Sequence, residues 1–331
     1  RAVAMVLGAV YEQDFLDCSY GFRPGRSAHD ALDDLQNHLV KSGGGWVLEV
    51  DFRKYFDTLD HAKLKEMLSQ RVTDGVLLRL ISKWLHAGVM DRGELHHPGA
   101  GTPQGGVISP LLANVFLHEV LDLWVERDVK PRLKEMVRLF RYADDAVLVF
   151  SNESDARRFL EVLGKRCEKF GLTLHPEKTR LLDFRRPRLS RSKDDDDDGP
   201  GTFDLLGFTH FWSRSLSKKW VVMRKTARDR FRRAVKSIAT WCRFHRHDPI
   251  PAQHVALSRK INGHYAYYGV TLNLRALSRF LYCTTMVWWA ALQRRSQRGM
   301  PWPRMDALIR KLRLPQPRIV RPSKWLRSAN P

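Results

Sequence analysis

The sequence predicts an α+β unit built on an antiparallel sheet, followed by an all-helical basic domain, and three observations carry that prediction. "FRYADDAVLVF", Phe140 to Phe150, joins two apolar runs of strand type through two adjacent carboxylates, Asp144 and Asp145. "GGGWVLEVDF" reads as a glycine turn feeding a short buried strand that ends near Asp51. The charge is segregated: residues 205–331 hold 27 Lys+Arg against 3 acidic residues, net +24, whereas residues 1–204 hold 30 against 33.

At 331 residues the chain can bury a sizeable core, and a prior of roughly 100–200 residues per domain gives two or three units. Apolar residues make up 43% and charged residues 28%, which excludes overall disorder. A net charge of +21 points to a polyanionic partner. The basic part also contains seven of the ten Trp, a mixture of cations and flat rings suited to phosphates and unstacked bases. Cys18, Cys167, Cys242 and Cys283 have no paired spacing, so neither disulfides nor structural zinc are expected. No apolar run reaches the length of a membrane span, and a cytoplasmic setting is expected. Residue 1 is Arg rather than Met, so the chain is expected to be the interior of a longer protein.

Each element has its local signal. Val3, Val6, Leu7 and Val10, then Ala28, Ala31, Leu32, Leu35 and Leu39, repeat with helical period around the turn-rich "CSYGFRPGRSAHD". A helical stretch is expected from His61 to about Leu85. "GAGTPQGGVISPLLANVFLHEVLDLWV" is a Gly/Pro loop entering an amphipathic helix. After the strand pair come a helix from about Ser154 to Phe170 and the strand-turn segment "GLTLHPEKTRLLDF". "RRPRLSRSKDDDDDGPG", within 185–201, reads as a flexible acidic surface loop rather than a metal site, since a dedicated site would space its ligands. "TFDLLGFTHFW" predicts a strand pair, and from about Lys225 onward the basic and apolar residues alternate with helical period.

Asp is a good turn former, so a carboxylate pair on a turn is unremarkable by itself. Asp51 at the end of another strand changes the reading, because strands sharing one sheet would bring its carboxylate to Asp144. Like charges so placed raise one another's pKa unless a cation lies between them. Carboxylates completed by water and phosphate oxygens describe a Mg²⁺ site, and two such ions serve phosphoryl transfer.

"VLEVDFRKYFDTLDH", "GTPQGGVISPLLANVFLHEVLD", "RYADDAVLVF", "LTLHPEKT" and "FDLLGF" resemble, in order and approximate spacing, the palm motifs of reverse transcriptases. With "YGFRPGRSAHDAL" the chain is most similar to the bacterial group II intron reverse transcriptase/maturase family. The resemblance implies a right-hand polymerase: partial fingers over 1–45, an α+β palm over 46–224 and a helical thumb/maturase domain over 225–331. It implies an RNA-directed DNA polymerase that uses two Mg²⁺ ions, with Mn²⁺ as a substitute, and whose partners are an RNA template, intron RNA, a DNA primer or target and dNTPs.

Residue by residue, the resemblance implies that Asp51 and Asp144 bind both metals, with Asp145 a weaker participant. Phe52, Phe56, Gln104, Gly105, Gly106 and Lys178 would contact nucleotide or template. Phe56 would exclude a 2′-hydroxyl, with Tyr55 as the fallback, and Lys178 would assist the leaving pyrophosphate. Gly207 and Phe208 would grip the primer end. Arg23 and Arg26 would touch template phosphate or else pair with acids such as Asp30. The family's segments preceding "RAVAMVL" and its Cys/His endonuclease array have no counterpart in these 331 residues. Two alternatives stay open on the sequence: an RNA-binding splicing cofactor with little polymerase activity, and a retron, diversity-generating or defence-associated reverse transcriptase.

Overall fold

A computed structural model describes residues 1–86, 89–91, 94–96, 101, 106–187, 201–215 and 217–322, the strands at 89–91 and 94–96 by backbone alone. The chain divides into two compact units, Arg1–Leu206 with Arg214–Val221, and Gly207–Ser213 with Val222–Pro331.

The first unit opens with α1 (Ala2–Tyr11) and α2 (Ala28–Ser42). Ser27 and Asp30 close a capping box at the start of α2, each side chain accepting from the other's backbone N–H, and Gly43 ends the helix at φ +76°. Strand β1 (Trp46–Val50) leads through the single turn α3 (Tyr55–Thr58) to α4 (His61–Ser69) and α5 (Gly75–His86). The single helical stretch expected over 61–85 is therefore two helices. Asp74 accepts the N–H groups of Val76 and Leu77 at 2.8 and 3.1 Å, which starts a new helix and ends the run.

After the short hairpin β2 (Val89–Asp91) and β3 (Glu94–His96), α6 (Ser109–Leu117) continues into wider π-helical segments at His118–Asp122 and Val125–Val129. Then come β4 (Val137–Tyr142), β5 (Asp145–Phe150), α7 (Glu153–Lys169), β6 (Arg180–Asp183) and β7 (Phe203–Leu205). The main sheet has the order β4-β5-β1-β6, and all its pairings are antiparallel. Leu48, Val50, Leu148 and Phe150 from this sheet join Leu112, Phe116, Val120, Phe159 and Leu163 from α6, its π-helical extension and α7 in one core. Burial on that scale stabilises by about 1.5–3 kcal/mol per large apolar side chain.

The second unit contains most of β8 (Phe208–Arg214) and β9 (Trp220–Thr226), neighbours in a sheet, then α8 (Arg228–Phe244), α9 (Ile250–Tyr268), α10 (Leu274–Gln293) and α11 (Trp302–Lys311). Its core is formed by Ile238, Leu257, Ile261, Tyr265, Phe280 and Trp288 among others. The indole of Trp288 donates to Gln253 Oε1 at 2.8 Å, so at least this tryptophan of the basic region is structural. The expected acidic loop at 185–201 lies mostly outside the described residues.

Candidate active site

Strand register builds the site. Val50 pairs with Ala146 across β1 and β5, and Tyr142 pairs with Asp145 across the β4–β5 hairpin. Asp51, one residue past β1, thus reaches the end of the sheet where Ala143 and Asp144 form the hairpin turn. Asp144 responds to this placement. Burial raises its carboxyl pKa above the ordinary range, and the Asp51 charge raises it further, against its own backbone N–H, Arg141 and Lys178.

A strap from the segment after α7 delivers the cation. His175 N–H donates to Asp51 O at 2.8 Å, Arg53 N–H donates to Thr173 O at 2.8 Å, and Phe52 bridges Leu174. The following turn carries Lys178, whose Nζ lies 3.2 Å from Asp51 Oδ2. That ammonium, 60% exposed, answers one carboxylate directly and the other at longer range. Two carboxylates that share one side-chain cation, on a half-buried rim, suit a hard divalent ion completed by water and phosphate oxygens. Among the described residues no group of three or more His, Cys, Asp or Glu side chains assembles around one point. Asp145 begins β5, opposite Tyr142.

The turn itself is strained. Ala143 has φ +55°, in the left-handed region that costs a residue bearing a Cβ about 1 kcal/mol or more. Behind it lies a fully buried guanidinium. Arg141 donates through Nε to Asp122 Oδ1 at 2.7 Å and through Nη2 to Asp122 Oδ2 at 2.5 Å, a bidentate pair with both side chains at 0% exposure. Its remaining N–H groups reach Ser19 Oγ at 2.8 Å, Asn114 Oδ1 at 3.0 Å and Ala143 O at 3.0 Å. Burial alone would raise the Asp122 carboxyl, but the Arg141 charge and the hydrogen bonds it receives hold it below the usual carboxylate range. Asp122 lies in the first π-helical segment, a deviation often found beside functional sites.

Sequence reading missed this cluster. Arg141 belongs to the quoted motif but reads there as strand. The available signal was phase: Val137, Leu139 and Arg141 share one face of β4, and an arginine in register with two buried aliphatic residues needs a buried acid.

The other expected residues distribute unevenly. Phe56 is half-buried against the core, whereas Tyr55 is buried with its hydroxyl donating to Ala113 O at 2.7 Å. Phe52 is 6% exposed, and its ring packs in the core beside Tyr55. Gly106 helps line a cavity of about 220 Å³ with Trp84, Val107 and Ile108. Gln104 and Gly105 lie outside the described residues.

Arg23 pairs with an acid, the second of the two roles the sequence left open. All five of its N–H donors are engaged, by the Glu12 carboxylate and by the carbonyls of Leu16, Ser19 and Phe15, and the side chain is 3% exposed. It braces the segment between α1 and α2, and no donor is left for a phosphate. Arg26 pairs with Asp17 at 2.5 Å. The acid partners are thus Glu12 and Asp17, while Asp30 caps α2.

In the second unit Gly207 has φ +80°, and a Cβ there would lie 2.8 Å from Tyr268 Oη. Phe208 is buried between Tyr267 and Tyr268. A groove of about 500 Å³ on the same unit is lined by Arg233, Lys236, Trp241, Phe244, His245 and Lys260. Trp241 and His245 stack with centroids 4.6 Å apart, and Phe244 is 72% exposed. No described helix is long and apolar enough to cross a membrane.

Comparison with known proteins is consistent with this geometry. The family model described as "Reverse transcriptase (RNA-dependent DNA polymerase)" matches residues 1–210. The group II intron-encoded protein LtrA of Lactococcus lactis subsp. cremoris is 35% identical over 176 residues, covering 50% of this chain and 29% of its own length. Protein YkfC of Escherichia coli K12 is 32% identical over 214 residues, 55% of each chain. The chain therefore spans between about a third and about half the length of these two relatives. The solved structure of apo telomerase from Candida tropicalis aligns with 88% of this chain and 48% of its own at 12% identity and a TM-score of 0.50, a likeness of fold.

Proposed function

Because the chain belongs to the reverse transcriptase (RNA-dependent DNA polymerase) family, we propose that its site extends a DNA primer on an RNA template within a group II intron type element of the bacterial cytoplasm, and that the protein also binds intron RNA and assists its splicing. The observation that supports the reading best is the register that carries Asp51 to the Asp144 turn, where burial and the neighbouring Asp51 charge leave the Asp144 carboxylate in need of positive charge.

Asp51 and Asp144 would hold the divalent ions, Mg²⁺ or in its place Mn²⁺, which when bound supply charge for an attacking 3′-hydroxyl and a departing pyrophosphate. Asp145, next to Asp144, takes a supporting part. Lys178 neutralises Asp51 in the metal-free site and, once a metal takes that role, is free to meet leaving-group phosphate. Phe56 limits room beside the sugar of an incoming dNTP, Gly106 lets the backbone approach the new base pair, and the Gly207–Phe208 backbone holds the primer strand. Cations and exposed rings of the second unit, with the groove around Trp241 and Phe244 as the best-defined patch, take phosphates and unstacked bases of RNA.

Primer extension on an RNA template with dNTPs and Mg²⁺, comparing the chain with Asp144→Ala, tests the proposal. Extension lost in the variant supports it. Extension absent from both, with RNA binding intact, would favour a splicing cofactor instead.

A further inference from the structure

We propose that Arg141 and Gly21 are positioning residues for the carboxylate turn, locking Ala143 in its strained conformation so that Asp144 faces Asp51. The inference rests on the reading of Asp51 and Asp144 as the metal-holding pair.

Three contacts over-determine the turn from behind. Arg141 Nη1 donates to Ala143 O at 3.0 Å, two residues away, pinning the carbonyl that a relaxed turn would rotate. The same nitrogen donates to Asn114 Oδ1, and Asn114 Nδ2 donates to Gly21 O at 2.6 Å, so the guanidinium also fixes the segment laid against the turn. That segment is held to β4 by its backbone as well: Tyr20 N–H donates to Arg141 O and Arg141 N–H donates to Cys18 O, both at 2.8 Å.

Gly21 is the point of closest approach. A Cβ there would fall inside contact distance of Ala143 N and 3.1 Å from the Tyr142 carbonyl carbon. Gly21 does not have a positive φ, so its own backbone would accept alanine, and the obstruction is with the turn alone. A left-handed alanine persists only where its surroundings enforce it. Here they comprise a hydrogen bond to its carbonyl, a backbone with no side chain packed on its amide, and the ladder of β4 and β5 on either side. The network is anchored by the bidentate bond to Asp122, which gives Arg141 a single orientation.

A carboxylate displaced by about 1 Å from productive geometry can lose about 100-fold in rate, so small changes behind the turn should appear as chemistry rather than as unfolding.

The test uses the full chain with Gly21→Ala and Arg141→Lys, the latter keeping a charge for Asp122 but losing the nitrogen fork that reaches Ala143 and Asn114. Mn²⁺ binding is followed by electron paramagnetic resonance of the free ion, alongside primer extension and thermal unfolding. The expected result is cooperative unfolding in both variants, Mn²⁺ affinity weakened about tenfold and kcat lowered about 100-fold, with KM for dNTP little changed. Variants that melt earlier but bind Mn²⁺ and turn over like the parent while folded would show a structural role only and overturn the proposal. Asp144→Ala separates the two layers: if it too binds Mn²⁺ like the parent, the reading of the metal pair fails, whereas its loss beside unaffected Gly21→Ala and Arg141→Lys sinks the positioning role alone.

Discussion

Asp122, bonded to Arg141 of β4, and Asp144, in the turn that follows that strand, differ in how their charge is answered. Asp122 is fully buried but receives a bidentate guanidinium, which holds its pKa down. Asp144 is less buried, has another carboxylate for a neighbour, and its pKa is pushed up. The Asp122 carboxylate is answered wholly within the fold, whereas Asp144 has a second carboxylate beside it. A carboxylate whose partners are all supplied by the fold serves the fold, and one left short of positive charge is where our proposal seats a cation.

The comparison can be broken most directly by removing each acid. Asp144→Ala should lower RNA-templated primer extension by about 1,000-fold or more, since metal-held charge supplies several kcal/mol at 1.36 kcal/mol per tenfold. Chemical denaturation of metal-free Asp144→Asn should show stability equal to or above the parent, because a repelling charge has been deleted. Asp122→Asn should behave oppositely on that measurement, losing about 3–5 kcal/mol by leaving the Arg141 guanidinium buried without its countercharge.

Smaller effects sharpen the contrast. Arg23→Gln should cost about 1–3 kcal/mol in denaturant, the value of charge-assisted bonds, while RNA affinity and its salt slope stay at the parent's values. A fall in RNA affinity with unchanged stability would reinstate Arg23 as a phosphate contact. The finest probe is carboxyl titration by nuclear magnetic resonance in chelator. Asp144 should titrate above the usual carboxylate range, move down in Asp51→Asn as a like charge is removed, and move up in Lys178→Met as a cation is removed. An Asp144 that ignores both substitutions would show that the two carboxylates are not neighbours.

Much of this was legible beforehand where chemistry is local in the chain. The apolar runs around Asp144 and Asp145, the glycine turn before Trp46 and the helical period after Lys225 each specify their element through side-chain periodicity and turn chemistry. Adjacent acids on a tight turn announce themselves in the same way. The break at Asp74 was legible too, as a cap before a helix, but was masked by continuous apolar period on either side.

Other features belong to the tertiary structure. Arg23 and Arg26 lie three residues apart in one motif with equal claim to a phosphate, yet Arg23 turns inward to Glu12 and three carbonyls while Arg26 pairs at the surface. Phe52 and Phe56 are equally aromatic, and burial separates them. Gly21, Asn114, Asp122 and Arg141 span 121 residues of sequence, and no periodicity links them. The sequence by itself determined most of the strands and helices, where the acids lie and which part of the chain is basic, because propensity, period and charge are properties of neighbours. Which arginine is buried, which carboxylate lacks a partner and what holds the turn were decided only by packing, because burial and ion pairing depend on groups brought together from far apart in the chain.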